Sequence, residues 1–138
     1  MQFPKQRLLI VDDDEEVAAE LERVLSLEGY EVYVLACPRK ALELVTQTKI
    51  HIVLTDISLP DMDGIELLAA IRNFDPLTQV IMMTEDSTMD RTVQCLENGA
   101  TDYLFKPFSA FDEVIEAVKL AEAKLKRWQI IMRRNFAG

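Results

Sequence analysis

Five short apolar runs recur along this chain with amphipathic segments between them, and that alternation restricts the fold more than any other feature. The runs are LLIV (8–11), VYVL (32–35), IVLT (52–55), VIMM (80–83) and DYLF (102–105). Their length and near-continuous apolar character mark them as strand candidates. Between the first two, Val17, Leu21, Val24 and Leu25 repeat at helical spacing, and Gly29 stands where a helix would end. Pro38 can open a second helix, and Gly64 precedes a third that carries Ile65, Leu68 and Ile71. A fourth runs from about Ser87 to Asn98–Gly99, and Ser109 with Asp112 has the form of a capping box for a fifth. Strict alternation of this kind predicts an α/β fold, a doubly wound parallel sheet with helices on both faces. Right-handed crossovers then leave few topologies. No internal repeat beyond the strand–helix unit and no low-complexity or linker-like stretch interrupts it.

At 138 residues, 49% of them hydrophobic, the chain is large enough to bury a core without disulfides or a structural metal, and too short for two full domains. Cys37 and Cys95 match neither a CxxC redox motif nor a zinc pattern and read as reduced thiols. The start MQFPKQR lacks the apolar stretch of a signal peptide, and no run approaches a membrane span, so a cytoplasmic place and no membrane contact are expected. His51 is the only histidine, which removes His-based triads, multi-histidine zinc sites and haem. The net charge of −9 disfavours nucleic acid as a direct partner. That charge is uneven, because Lys119, Lys124, Lys126, Arg127, Arg133 and Arg134 near the end of the chain face Glu122 alone.

The polar residues with chemistry fall directly after the apolar runs. Asp12 and Asp13 follow LLIV, Asp56 follows IVLT, Thr84 follows VIMM and Lys106 follows DYLF. In a doubly wound sheet the carboxyl ends of the strands hold the binding crevice, so four distant segments converge there. Three carboxylates with one lysine leave a deficit of positive charge that a divalent cation would fill. Oxygen ligands without Cys or His select a hard ion, and Mg²⁺ suits a few carboxylates with room for water and a phosphate oxygen. Thr84 offers a hydroxyl donor and Lys106 a point charge to a phosphoryl group, and a carboxylate is a competent nucleophile toward phosphorus. Taken singly, DDDEE (12–16) reads equally as acids on a helix dipole, Asp56 as a cap, and Thr84 and Lys106 as loop residues. Their joint placement at four strand ends is what points to chemistry.

These motifs, LLIVDDD (8–14), TDISLPDMDGIEL (55–67), MMT (82–84) and DYLFKPF (102–108), resemble those of the two-component response-regulator receiver domains of the CheY-like kind. The resemblance covers about residues 6–120 and implies a flavodoxin-like five-stranded sheet in the order 2-1-3-4-5. It implies that Asp56 is the phosphoacceptor and that Asp12 and Asp13 bind Mg²⁺, with the backbone carbonyl of Ser58 adding a ligand. By the same resemblance Thr84 and Lys106 hold the phosphoryl oxygens, the Lys106–Pro107 peptide is cis, and Tyr103 is the switch aromatic. Phosphorylation would then remodel the surface of the fourth helix, fifth strand and fifth helix. The partners implied are a histidine kinase or a histidine phosphotransfer protein as donor and an output domain or downstream protein as target. His51 precedes its strand, at the edge opposite the site, so it is not expected to serve as donor. Enzyme activity on an external substrate is not expected.

One departure is Glu85, where the family usually has a small residue, followed by Asp86. A carboxylate about 5 Å from a phosphoryl group repels it by roughly 3 kcal/mol at an effective dielectric of 20, and less if it swings into solvent. Ser58, Glu85 and Asp86 are thus candidate modulators of the phosphoryl group. A second departure is the end of the chain. Phe111, Val114, Val118, Ala121, Leu125, Trp128 and Met132 are spaced as a heptad seam that outlasts the sheet. Residues 121–138 therefore read as a basic extension of the fifth helix. Leu125, Trp128 and Met132 in it are candidates for a parallel homodimer or a linker to an output domain. A helix that folds back or frays, with its basic residues merely solvated, is the alternative. Two rival functions remain. A Mg²⁺-dependent phosphohydrolase would want a second acid where Ser58 stands, and an unphosphorylated docking module would leave the intact Asp12, Asp13, Asp56, Thr84 and Lys106 without purpose.

Overall fold

The structure, a computed structural model, describes residues 5–137. Each apolar run forms a strand, and each amphipathic segment the helix that follows it: β1 (Arg7–Val11), α1 (Glu15–Leu27), β2 (Glu31–Leu35), α2 (Pro38–Gln47), β3 (Ile52–Asp56), α3 (Gly64–Phe74), β4 (Gln79–Thr84), α4 (Met89–Glu97), β5 (Asp102–Phe105) and α5 (Asp112–Ala137). Side chains cap three of the helix starts. Asp14 accepts from the N–H groups of Glu16 and Val17, Asp63 from that of Ile65, and Thr88 from that of Arg91. Gly29 ends α1 with φ +100° and Gly99 follows α4 with φ +88°, a region closed to most side chains.

The five strands are parallel, in the order β2-β1-β3-β4-β5. Alternate residues of the central strands feed two separate cores. Leu8, Ile10, Ile52, Leu54, Ile81 and Met83 pack with α1 and α5 on one face. Leu9, Val11, Val53, Val80 and Met82 pack with α2, α3 and Cys95 of α4 on the other. Every residue of β3 and β4 is buried, as a strand covered on both faces requires. Edge strand β2 has no fully buried residue.

Two helix starts differ from the sequence expectation. Helix α4 begins at Met89 behind the Thr88 cap, which frees the Ser87 hydroxyl for another bond. The Ser109 capping box does not form, because α5 begins only at Asp112, where the N–H of Ile115 donates to the carbonyl of Phe111. The expectation for Leu125 also needs correction. It is only 1% exposed, so the domain itself buries it and it is not available to a partner, whereas Trp128 and Met132 are exposed. Helix α5 continues through this point unbroken to Ala137. Among the described residues, no helix is long and apolar enough to cross a membrane.

Candidate functional site

Because all five strands run the same way, the residue after each run arrives at one edge of the sheet. Asp12 follows β1, Asp56 closes β3, Thr84 closes β4 and Lys106 follows β5; all four side chains are buried. The lysine ammonium bridges the two aspartates, with Nζ 2.9 Å from Asp12 Oδ2 and 2.9 Å from Asp56 Oδ2. The other carboxylate oxygens take backbone donors: Asp12 Oδ1 accepts from Asp14 N–H at 2.9 Å, and Asp56 Oδ1 from Ser58 N–H at 3.0 Å. The strand ends are themselves laced together, since the N–H of Lys106 donates to the carbonyl of Thr84 at 2.8 Å. The Lys106–Pro107 peptide is cis.

Burial and pairing pull against one another here. Burial raises the pKa of Asp12, by more than its bonds to Lys106 and to the Asp14 N–H lower it. Burial pushes Lys106 down, but its hydrogen bonds to Asp12 and Asp56 outweigh that and leave it above the ordinary lysine value. Lys106 is thus a fixed cation.

Asp13 is exposed beside this pair. One oxygen from each of Asp12, Asp13 and Asp56 lies within 4.8 Å of the others. Three carboxylate oxygens this close together could serve one hard cation. The donor set is all oxygen, and Asp13 leaves an open side for water, so the residues present fit a hard divalent cation. The amide of Ser58 is turned to Asp56, and its side chain is exposed.

The remaining expected residues fall around this centre. Thr84 Oγ1 accepts from the N–H of Asp86 at 3.1 Å, leaving its own proton to donate. Glu85 and Asp86 are exposed, so their carboxylates face water. Tyr103 is half-buried against the second core and T-stacks on Phe105, ring centres 5.6 Å apart. His51 lies at the start of β3, at the opposite edge, where its Nδ1 accepts the N–H of Arg7 at 2.9 Å. Burial, followed by the nearby Lys49 and Arg7 charges, lowers its pKa. Trp128 and Met132 lie on the far end of α5, well away from the site.

Sequence reasoning missed two contributors. Gly64 is needed because a Cβ there would stand 2.2 Å from the Asp56 carbonyl oxygen; its N–H donates to the carbonyl of Ile57 at 2.8 Å, seating α3 on the end of β3. The Asp63–Gly64 pair at the helix start was the available signal. Ser87 is the other: its hydroxyl shares a 3.1 Å hydrogen bond with the Tyr103 hydroxyl and a 3.3 Å one with Thr92 of α4. No local pattern announces a bond between residues that only the fold brings together.

Residues 8–119 match the profile of the response regulator receiver domain family. This chain belongs to that family. As a receiver domain of two-component signalling, it is similar to the transcriptional regulatory protein PrrA of Mycobacterium leprae, 40% identical over 113 residues, which are 82% of this chain and 48% of PrrA. The chain thus spans about half the length of that relative. It is 37% identical to the sporulation initiation phosphotransferase F of Bacillus subtilis over 83% of this chain and 91% of that protein. Among solved structures, the CheY-like receiver domain from Methanospirillum hungatei superposes with a TM-score of 0.87 at 31% identity, covering 90% of this chain and 98% of the other. The family generally binds Mg²⁺ at an acidic pocket, and this chain has a cluster of three aspartates, Asp12, Asp13 and Asp56, at the carboxyl ends of its strands.

Proposed function

We propose that this receiver domain is a phosphoacceptor switch, taking a phosphoryl group on Asp56 from a phosphohistidine of a histidine kinase or phosphotransfer protein. The observation that carries this reading is the buried Lys106 ammonium held 2.9 Å from both Asp12 and Asp56. An oxygen of Asp56 forms the new O–P bond as the P–N bond breaks, and the bonding pair leaves with the donor imidazole. The phosphoryl passes through a loose, in-line transition state, so the protein contributes mainly positioning and counter-charge. Lys106 meets one phosphoryl oxygen and the Thr84 hydroxyl donates to another. Mg²⁺ held by Asp12, Asp13 and Asp56 would supply the remaining positive charge on the developing oxyanions. The chemistry is confined to this one side chain and its hydrolysis, with no external substrate turned over.

The β4–α4 loop supports a route for the signal. Thr84 engages the phosphoryl group at one end of the loop, while Ser87 holds Tyr103 and Thr92 at the other. A shift of Thr84 toward the phosphoryl oxygens pulls on Ser87 and so on the Tyr103 ring, remodelling the α4–β5–α5 surface offered to an output domain or downstream protein. The whole cycle belongs to the cytoplasm, where the kinase domains that feed it reside.

Intact mass after incubation with Mg²⁺ and acetyl phosphate tests this reading. One added phosphoryl group is expected, absent after prior chelation and absent in Asp56→Ala. An adduct that survives in Asp56→Ala, or no adduct and no released phosphate in the wild type, would overturn it.

A further inference from the structure

Helix α5 outruns the sheet, and its overhang bounds a cavity of about 830 Å³ at the edge opposite Asp56. At the base of the cavity Gln6 precedes β1 and His51 precedes β3. One side is the turn from α1 to β2, Glu28 to Tyr30, and the other is α5 between Lys119 and Arg133. Two contacts tie these sides together. Lys119 Nζ stands 2.9 Å from Glu28 Oε1, and the Tyr30 hydroxyl donates to Glu122 Oε1 at 2.7 Å. The cavity is therefore formed before anything enters it, and its volume falls in the range of roughly 300–1,000 Å³ usual for small-molecule sites.

The charge of the lining runs against that of the chain. Lys5, Lys119, Lys126 and Arg133 face only Glu28 and Glu122, in a protein of net charge −9. Both acids are already paired, Glu28 with Lys119, and Glu122 with Lys126 at 3.1 Å. Among the described residues Lys5 and Arg133 form no ion pair, so two cations stand in surplus. His51 adds a neutral donor. Burial and the Lys49 and Arg7 charges lower its pKa, and its Nδ1 accepts the N–H of Arg7, so the ring keeps its proton on Nε2. A surplus of two positive charges matches a phosphomonoester, which carries nearly two negative charges at pH 7. The other polar groups, the carboxylates of Glu28 and Glu122 and the amide of Gln129, match hydroxyls. Tyr30, the only Phe, Tyr or Trp in the lining, is 6% exposed and offers no open ring face on which a nucleobase could stack. We propose that this cavity binds a sugar phosphate, Lys5 and Arg133 supplying the counter-charge to the phosphoryl group and His51, Glu28 and Glu122 bonding the hydroxyls. The forked guanidinium of Arg133 suits two phosphoryl oxygens at once. Because the cavity and Asp56 lie at opposite edges of the sheet, the sugar phosphate and the phosphoryl donor do not compete for space.

NMR titration of the full chain tests this, since His51 is the only imidazole and reports from inside the cavity. Low salt keeps the ion pairs unscreened, and the absence of Mg²⁺ leaves the Asp56 pocket anionic and closed to phosphate. Glucose 6-phosphate and ribose 5-phosphate are the probes, at fixed pH. At least one should shift the His51 signals saturably below about 10 mM, and glucose should not. Arg133→Gln should weaken that binding by about fivefold or more, as the loss of one good ion pair does, with an unchanged far-UV circular dichroism spectrum. Arg134→Gln removes the same charge outside the lining and should change the binding by less than about twofold. No saturable shift with either probe would overturn the proposal. Equal weakening by the two substitutions would mean general attraction by the basic end of the chain, and would overturn it too. Inorganic phosphate binding as tightly as the sugar phosphates would refute the ligand class.

Discussion

Replacing Gly64 by alanine sets two local rules against each other. On helix propensity alone the change should stabilise α3, by up to about 1 kcal/mol. The structure reverses the sign. The new Cβ would stand 2.2 Å from the Asp56 carbonyl oxygen and 2.7 Å from the Ile57 Cα, both backbone atoms, where real contacts essentially never fall below 3.0 Å. The start of α3 must therefore retreat from β3 by about 0.8 Å, the gap between 2.2 and 3.0 Å. That retreat takes the 2.8 Å bond from Gly64 N–H to the Ile57 carbonyl beyond hydrogen-bonding range. A lost hydrogen bond of about 1 kcal/mol and an overpacking cost of about 1–3 kcal/mol, less the propensity gain, leave a net loss of roughly 1–3 kcal/mol. For a chain of this size that lowers Tm by about 3–12 °C. Because the crowded carbonyl belongs to Asp56 itself, part of the displacement is passed to that residue, and acetyl phosphate labelling of Asp56 should also slow by about 10- to 100-fold. Gly29→Ala is the control. It meets nothing within 4 Å and costs only the strain of its φ of +100°, about 1 kcal/mol, with labelling unaffected. A Tm for Gly64→Ala at or above the wild-type value, measured by calorimetry, would show that the crowding does not exist.

Three further outcomes follow from the same geometry. Lys106→Met leaves Asp12 and Asp56 without their shared cation and should destabilise the domain by about 3 kcal/mol in chelator; added Mg²⁺ should raise its urea midpoint more than that of the wild type, and equal shifts would refute the charge argument. His51, as the only histidine, gives a single imidazole signal in NMR titration, and its pKa should lie below 6.5. A depressed histidine binds its proton more weakly folded than unfolded, so its stabilising contribution is complete above about 6.5 and is lost as pH falls toward the folded value; His51→Gln should remove that part of the pH dependence of stability. Glu85 is exposed, so its repulsion is screened close to the bulk-water limit, and Glu85→Ala should speed acetyl phosphate labelling by no more than about fivefold; a larger gain would mean the carboxylate turns inward.

The fold was legible because each level of the sequence agreed with the next. The apolar runs of β1, β3 and β4 are buried on both faces, and the residue after each run reaches the site simply because parallel strands share one edge. Asp12, Asp56, Thr84 and Lys106 could be placed from sequence order alone for that reason. What failed was local. Ser109 and Asp112 have the spacing of a capping box, yet the chain between β5 and α5 takes up residues before the helix can begin, and spacing does not measure loop length. Leu125 looked free because the resemblance ends near residue 120, whereas burial depends on how far the sheet and its loops reach under the helix. Gly64 approaches the Asp56 carbonyl only once α3 is seated on β3, although both stand in one motif, and Ser87 reaches Tyr103 sixteen residues on, in the next strand.

The charge arrangement at the strand ends explains why one lysine serves a site with three acids. Asp12 and Asp56 share Lys106, so each has about half of a counter-charge, and Asp13 draws on water instead. The raised pKa of Asp12 is the signature of that shortfall: its burial is not fully compensated by the bonds it receives. Such a site is poorly suited to maximum stability and well suited to capture positive charge. A phosphoryl group on Asp56 would replace one negative charge by nearly two and spread it over oxygens beyond the carboxylate. Lys106 cannot keep 2.9 Å contacts to Asp12 and also follow the charge to the phosphoryl oxygens, unless another cation takes its place between the carboxylates. Phosphorylation and divalent-cation binding are therefore coupled in sign, each strengthening the other, and a receiver stripped of the cation should lose labelling rather than merely slow it.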